Sequence, residues 1–149
     1  MMVLQEFVYG TPKAQPRVKA VRRGNHAGVY DPGTANAWKA LVQLTLHSWC
    51  DEKISKPLRV TLNFFLPRPR SHYGTGRNTE VLKATAPSYH CSTPDIDNLE
   101  KAVYDALSSK SGSGVWADDK QIVEAIITKS YAEVMDPVGM LIKVELAGE

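Results

Sequence analysis

Between Arg59 and Leu66 the chain alternates: Val60, Leu62, Phe64 and Leu66 are apolar, and Arg59, Thr61, Asn63 and Phe65 stand between them. A period of two puts the first set on one face of a strand, and Pro67, which cannot donate to a ladder, ends it. An apolar, β-prone run over 3–9 stops at Gly10, Thr11 and Pro12 and reads as an opening strand. Residues 17–21 and 29–30 predict a short hairpin around Gly24 and Gly28. From Asp31 the spacing changes. Trp38, Leu41, Val42, Thr45, Leu46 and Trp49 recur at helical intervals, with Asp31 able to cap and Pro32 suited to a first turn, so a long amphipathic helix is expected. Two more strands are expected over 121–131 and 138–146.

A second helix is expected to begin near Asp95. At about 100° per residue, Leu99, Ala102, Val103, Ala106 and Leu107 share one face, and Asp97, Lys101 and Asp105 form a polar ridge opposite. The segment at about 67–93 keeps no sustained period; loops of that length in a compact domain are uncommon and tend to be functional. The order β, short β, α, β, α, β, β predicts an α+β protein (α/β in the loose sense). Its architecture would be a small mixed sheet with two main helices packed on it, a single domain over 1–149.

Composition adds exclusions. A hydrophobic share of 43% is ordinary for a globular chain, and no apolar run is long enough to span a bilayer. Glu6 interrupts the first residues before a secretory core develops, so a cytoplasmic protein without a membrane partner is expected. Cys50 and Cys91 lack metal-ligand spacing and are expected to be unrelated reduced thiols. The net charge of +2 identifies no partner, but its distribution is informative. Lys13, Arg17, Lys19, Arg22 and Arg23 form one basic group, and Arg68, Arg70, Arg77 and Lys83 a second, both in loop-like sequence. They are candidate contacts to nucleic-acid phosphates, weighed against basic loops that only keep the chain soluble. Tyr73 is a candidate to stack on a base.

The acidic residues cluster elsewhere. Asp95 and Asp97 bracket the start of the second helix, where the dipole and free N–H groups favour negative charge. Alone, such a pair is an ordinary cap, and Asp97 with Lys101 an ordinary i, i+4 pair. A second pair, Asp118 and Asp119, follows just beyond that helix, where Val115 and Trp116 look like a buried anchor. Folding back would bring Asp118 or Asp119 towards Asp95 and Asp97. Carboxylates without imidazole or thiolate partners favour hard cations, Mg²⁺ above all with Mn²⁺ as substitute, and such ions serve phosphodiester hydrolysis. Lys101 would contact the phosphate or offset developing charge, or else pair with Asp97 or Asp105. His26, His72 and His90 are expected to be surface or packing residues, because metal-bound water needs no histidine to become nucleophilic.

The run from Pro94 to Leu107, followed by Trp116 to Gln121, resembles the signature of RusA-type Holliday junction resolvases, crossover junction endodeoxyribonucleases, in a phage or prophage-like form. Weaker similarity extends from residues 10–17 through 66–73 to the terminal strands. The resemblance implies a homodimer that binds four-way DNA junctions and cuts paired strands with Mg²⁺. It assigns the first acidic pair to Asp95 and Asp97, the essential lysine to Lys101 and the essential second acid to Asp119. Asp118 is its neighbour and a weaker ligand candidate. Two departures stand out: Thr93 lies where a basic residue is frequent, and the connection over 108–114 is longer. A junction-binding module that no longer cuts, and a metal-dependent nuclease for other DNA or RNA, are the alternatives.

Overall fold

The computed structural model describes residues 2–49, 53–109 and 114–148. Six strands and two helices are present among them: β1 (Met2–Tyr9), β2 (Lys19–Arg23), β3 (His26–Tyr30), α1 (Asn36–Thr45), β4 (Leu58–Leu66), α2 (Ile96–Leu107), β5 (Ile122–Tyr131) and β6 (Gly139–Leu146). The protein is α+β. Its main sheet has the order β1-β6-β4-β5, with β4 antiparallel to β6 and parallel to β5. Two parallel neighbours cannot be joined by a hairpin, so the chain leaves β4, crosses through α2 and returns in β5.

One face of this sheet carries the core. Leu58, Val60, Leu62, Phe64 and Leu66 of β4 are all buried, as the alternation requires, beside Met140, Ile142, Val144 and Leu146 of β6. Over them lie Trp38 and Val42 of α1 and the apolar stripe of α2, Leu99, Ala102, Val103, Ala106 and Leu107, every one buried. Truncating a residue at the centre of this layer, such as Leu62→Ala, would cost about 2–5 kcal/mol.

Some expectations need correction. The first helix is shorter than its pattern implies. It starts at Asn36, and Asp31 does not cap it: the Asp31 carboxylate accepts the Gly33 N–H at 2.8 Å in a tight local turn. Trp49 falls beyond α1 in a 3-10 turn (His47–Trp49), 37% exposed, its indole donating to Glu6 Oε1 at 3.1 Å. The hairpin turns at Gly24, whose φ of 61° favours glycine, whereas Gly28 sits inside β3 opposite Val21. Residues 67–93 hold only two 3-10 turns (Arg70–His72 and Gly76–Asn78) and a bridge between Tyr73 and Leu82. Cys91 is an exposed free thiol; Cys50 and much of the connection after α2 lie outside the described residues.

Candidate active site and nucleic-acid surface

Asp95 is the N-cap residue of α2 by backbone conformation, yet its side chain makes no capping hydrogen bond. Asp97 lies in the first turn, and both carboxylates are exposed. Lys101, one turn further, is also exposed, and its ammonium makes no ion pair with any described residue. The ordinary i, i+4 pairing is therefore not made. Asp95 and Asp97 stand at the positive end of the helix, and Lys101 lies one turn from Asp97 on the same side.

The second acidic pair is held differently. After α2 the chain turns back, and Val115 and Trp116 are fully buried, the expected anchor. The Trp116 indole packs edge-on to Tyr104 of α2, with ring centroids 5.9 Å apart, and donates to Asp119 Oδ1 at 2.8 Å. Asp118 caps the next 3-10 turn (Asp119–Gln121). It accepts the Lys120 N–H at 3.1 Å, and the Gln121 side chain accepts the Asp118 N–H at 2.8 Å. Gln121 also donates to the Ile54 and Lys56 carbonyls. This reciprocal capping gives Asp118 a structural task and leaves Asp119 as the acid turned towards α2.

Tyr104 reports where Asp119 lies. Its hydroxyl is buried beside the Glu100 carboxylate and is held above the ordinary phenol range, first by burial, then by Glu100 and last by the Asp119 charge. Glu100, half-buried, is thus an acid that sequence reading missed; its signal was the i+3 step from Asp97 along the same ridge. Tyr104 is seven residues from Asp97, about 10 Å along the helix axis. Among the described residues no three His, Cys, Asp or Glu side chains are gathered tightly enough to hold a metal ion. Like charges at 4 Å repel by about 1 kcal/mol per pair even in water, which favours carboxylates standing apart. The donor chemistry, carboxylate oxygens with neither imidazole nor thiolate, nonetheless suits a hard divalent cation.

The segment entering Asp95 is anchored from the sheet. Lys129 of β5 donates to the Ser92 carbonyl at 2.7 Å and the Pro94 carbonyl at 2.9 Å, on either side of a cis Thr93–Pro94 bond. No sequence signal marked Lys129, because a lysine on a strand does not say which loop it meets.

The basic candidates separate. Lys19, Arg22 and Arg23 lie on the β2–β3 ribbon, whose strands pair only with each other and are exposed throughout; Arg17 precedes it, also exposed. Arg70, Arg77 and Lys83 are exposed on the long loop. Arg68 is not extended into solvent: its guanidinium lies 4.1 Å from the Tyr131 ring centroid and donates to the Pro87 carbonyl at 2.6 Å. Tyr73 is half-buried, and His72 and His90 pack against Tyr131, so these two are packing histidines. His26 is exposed on β3. Lys13 lies apart from the ribbon, beside Ser92, Thr93 and Pro94.

Residues 9–145 match the family model described as Endodeoxyribonuclease RusA. A curated relative, the uncharacterized protein YqaN of Bacillus subtilis (strain 168), is 30% identical over 132 residues, covering 85% of this chain and 86% of that protein. No helix among the described residues is long and apolar enough to cross a membrane.

Proposed function

The chain belongs to the RusA endodeoxyribonuclease family, and from that premise we propose that it is a Mg²⁺-dependent, structure-selective endonuclease that resolves four-way DNA junctions by paired phosphodiester hydrolysis. The observation that carries this reading is the exposed Asp95 and Asp97 pair at the head of α2, unneutralised by any described side chain, with Asp119 held by Trp116 against the same helix. In this reading Asp95, Asp97 and Asp119 hold the cation, with Asp118 in support. Mg²⁺, or Mn²⁺ in its place, would supply Lewis acidity at the phosphate and lower the pKa of water there. Lys101, without an ion-pair partner among the described residues, sets its ammonium beside the scissile phosphate, where it offsets the negative charge that grows on the leaving oxygen as the P–O bond to the leaving strand breaks.

The exposed cations of the ribbon and long loop, Lys19, Arg22, Arg23, Arg70, Arg77 and Lys83, hold the DNA backbone, with Arg17 just before the ribbon and Lys13 near Pro94 adding to them; such contacts supply affinity rather than base preference. Arg68 belongs to this group only through the loop it braces. Paired cutting needs two sites, so the working unit is a homodimer of one 1–149 nuclease domain, acting in the cytoplasm. Exposed Val123 and Ile126 on the edge strand β5 support a further contact surface, since an open, apolar edge invites pairing.

Purified protein with Mg²⁺ is expected to cut synthetic four-way junctions into nicked duplexes. An Asp97→Asn variant should lose at least about 100-fold in cleavage rate while still binding the junction. A second reading, a junction-binding module that does not cut, draws on the ungathered acids. Cleavage that Asp97→Asn abolishes rejects it; junctions left intact by the unmodified protein, with Mg²⁺ and with Mn²⁺, reject the nuclease. Duplex DNA and structured RNA as parallel substrates distinguish a nuclease of other specificity.

A further inference from the structure

The β2–β3 ribbon pairs with no other strand among the described residues, yet DNA held on it must meet the acids at the head of α2 in a fixed position if one phosphodiester is to be cut. The base of the ribbon supplies a connection between the two. Gln15 lies shortly before β2 and Asp31 directly follows β3, and Gln15 Nε2 donates to Asp31 Oδ2 at 3.2 Å, closing the two feet of the ribbon on each other. The Gln15 backbone N–H donates to the Asn98 carbonyl at 2.9 Å, in the first turn of α2 between Asp97 and Lys101.

Both feet are stiff. Gln15 precedes Pro16 and Asp31 precedes Pro32, and the residue before a proline is confined largely to extended backbone. The other Asp31 oxygen accepts the Gly33 N–H at 2.8 Å, which fixes the carboxylate that Gln15 meets. Gln15 is only 9% exposed, and its Oε1 is buried with no hydrogen-bond partner among the described residues. An orphaned buried oxygen costs stability, and an apolar side chain of similar size would avoid that cost. A side chain that served stability alone would not need the amide; one that ties the ribbon to α2 does.

We propose that Gln15 is a positioning residue: with Asp31 it forms a clasp that fixes the base of the ribbon to α2 beside Asp97, so that DNA lying along the ribbon presents one phosphodiester to the acids. Gln15 acts through the ribbon and α2 rather than on the reacting atoms. The inference rests on the nuclease reading and adds to it the contact that sets where a strand is cut relative to where it is held. Opening the clasp leaves Lys19, Arg22 and Arg23 in place, so affinity is kept while the alignment of the strand is lost.

The test uses the full chain and synthetic four-way junctions, with cut positions read at nucleotide resolution. Gln15→Met removes the donor and the orphaned oxygen together at nearly constant side-chain length, so Tm should stay within about 4 °C of that of the unmodified protein. Its kcat should fall about tenfold with KM changed by less than about twofold, and its cuts should spread to neighbouring phosphodiesters. Asp31→Ala, on the exposed side of the same bond, should do likewise, and the two substitutions together should be no slower than the slower single variant, because one bond is opened either way. Asp31→Asn should restore both kcat and the single cut position, since the Gln15 amide, turned about, accepts from the new side-chain amide. Should Gln15→Met not fold, Asp31→Ala and Asp31→Asn decide alone. Junctions cut by every variant at the unmodified rate and position overturn the clasp and leave the nuclease standing. A loss of kcat that only follows a fall in Tm, with cut positions unchanged, also overturns the clasp. Failure of the unmodified protein to cut any junction, with Mg²⁺ and with Mn²⁺, overturns both.

Discussion

His90 is a buried imidazole packed on the Tyr131 ring, which His72 meets from another side, and the Lys129 ammonium lies nearby. Both burial and that positive charge oppose its protonation in the folded protein. In the unfolded chain the ring titrates near its ordinary 6.5, so below that pH the unfolded chain binds a proton the folded protein refuses. Its contribution to stability is therefore complete above 6.5 and declines as pH falls towards the lower folded value. The urea midpoint should drop from about pH 7.5 to about pH 5.5, and His90→Gln should lose that component while keeping the part due to other groups. At the same scale, Trp116 shows how a core residue orients a chemical one: its ring fills the core and its N–H points Asp119. Trp116 was recognisable as an anchor from sequence, but its hydrogen bond was not, because the direction of an indole N–H follows from packing.

At the scale of elements, α2 and the segment entering it act together. The five apolar residues of α2 follow the helical period and are all buried, so this element was readable from spacing alone. The setting of its N-terminus was not. Two carbonyls of the entering segment are held by Lys129, which lies 35 residues from Pro94 and on a different element. Lys129→Met should release that segment and reposition Asp95, lowering kcat by about 10- to 100-fold with little change in KM, since misplacement of about 1 Å can cost that much. Lys129→Arg should restore part of kcat by bonding the same carbonyls. The stability loss in Lys129→Met should be only about 1 kcal/mol, because the exposed Ser92 carbonyl can turn to water. Single-turnover cleavage beside a denaturation curve separates positioning from loss of fold. The first helix illustrates the opposite failure: its period was read correctly, but the Asp31 side chain was taken by a local turn, and Trp49 followed a 3-10 turn instead of the helix.

At the scale of the whole molecule, the acidic residues stand on α2 and the turn that follows it, and Lys19, Arg22 and Arg23 on a separate two-stranded ribbon. Among the described residues the β2–β3 ribbon forms no sheet with another strand, so its exposed residues can change without disturbing the core. Arg22→Ala combined with Arg23→Ala should weaken junction binding and reduce the slope of log K against log salt by about 0.9 for each DNA phosphate no longer neutralised. Cleavage at saturating protein and the thermal midpoint should stay near those of the unmodified protein. Binding titrations across several salt concentrations check this, and an unchanged slope would place the DNA elsewhere.

Sequence by itself determined the strands with clear alternation, the buried stripe of α2, the buried Val115 and Trp116 pair and the oxygen-only character of the acidic residues. Each follows from local periodicity or from side-chain chemistry that does not depend on distant neighbours. Tertiary structure alone decided the strand order with its one parallel pair, the hold of Lys129 on the Asp95 segment and the approach of Glu100 and Asp119 to Tyr104. It also withdrew Arg68 from solvent onto Tyr131 and joined Gln15 to Asp31 at the base of the ribbon. These are meetings between residues far apart in sequence, selected by the packing of the whole chain, and no local pattern records them.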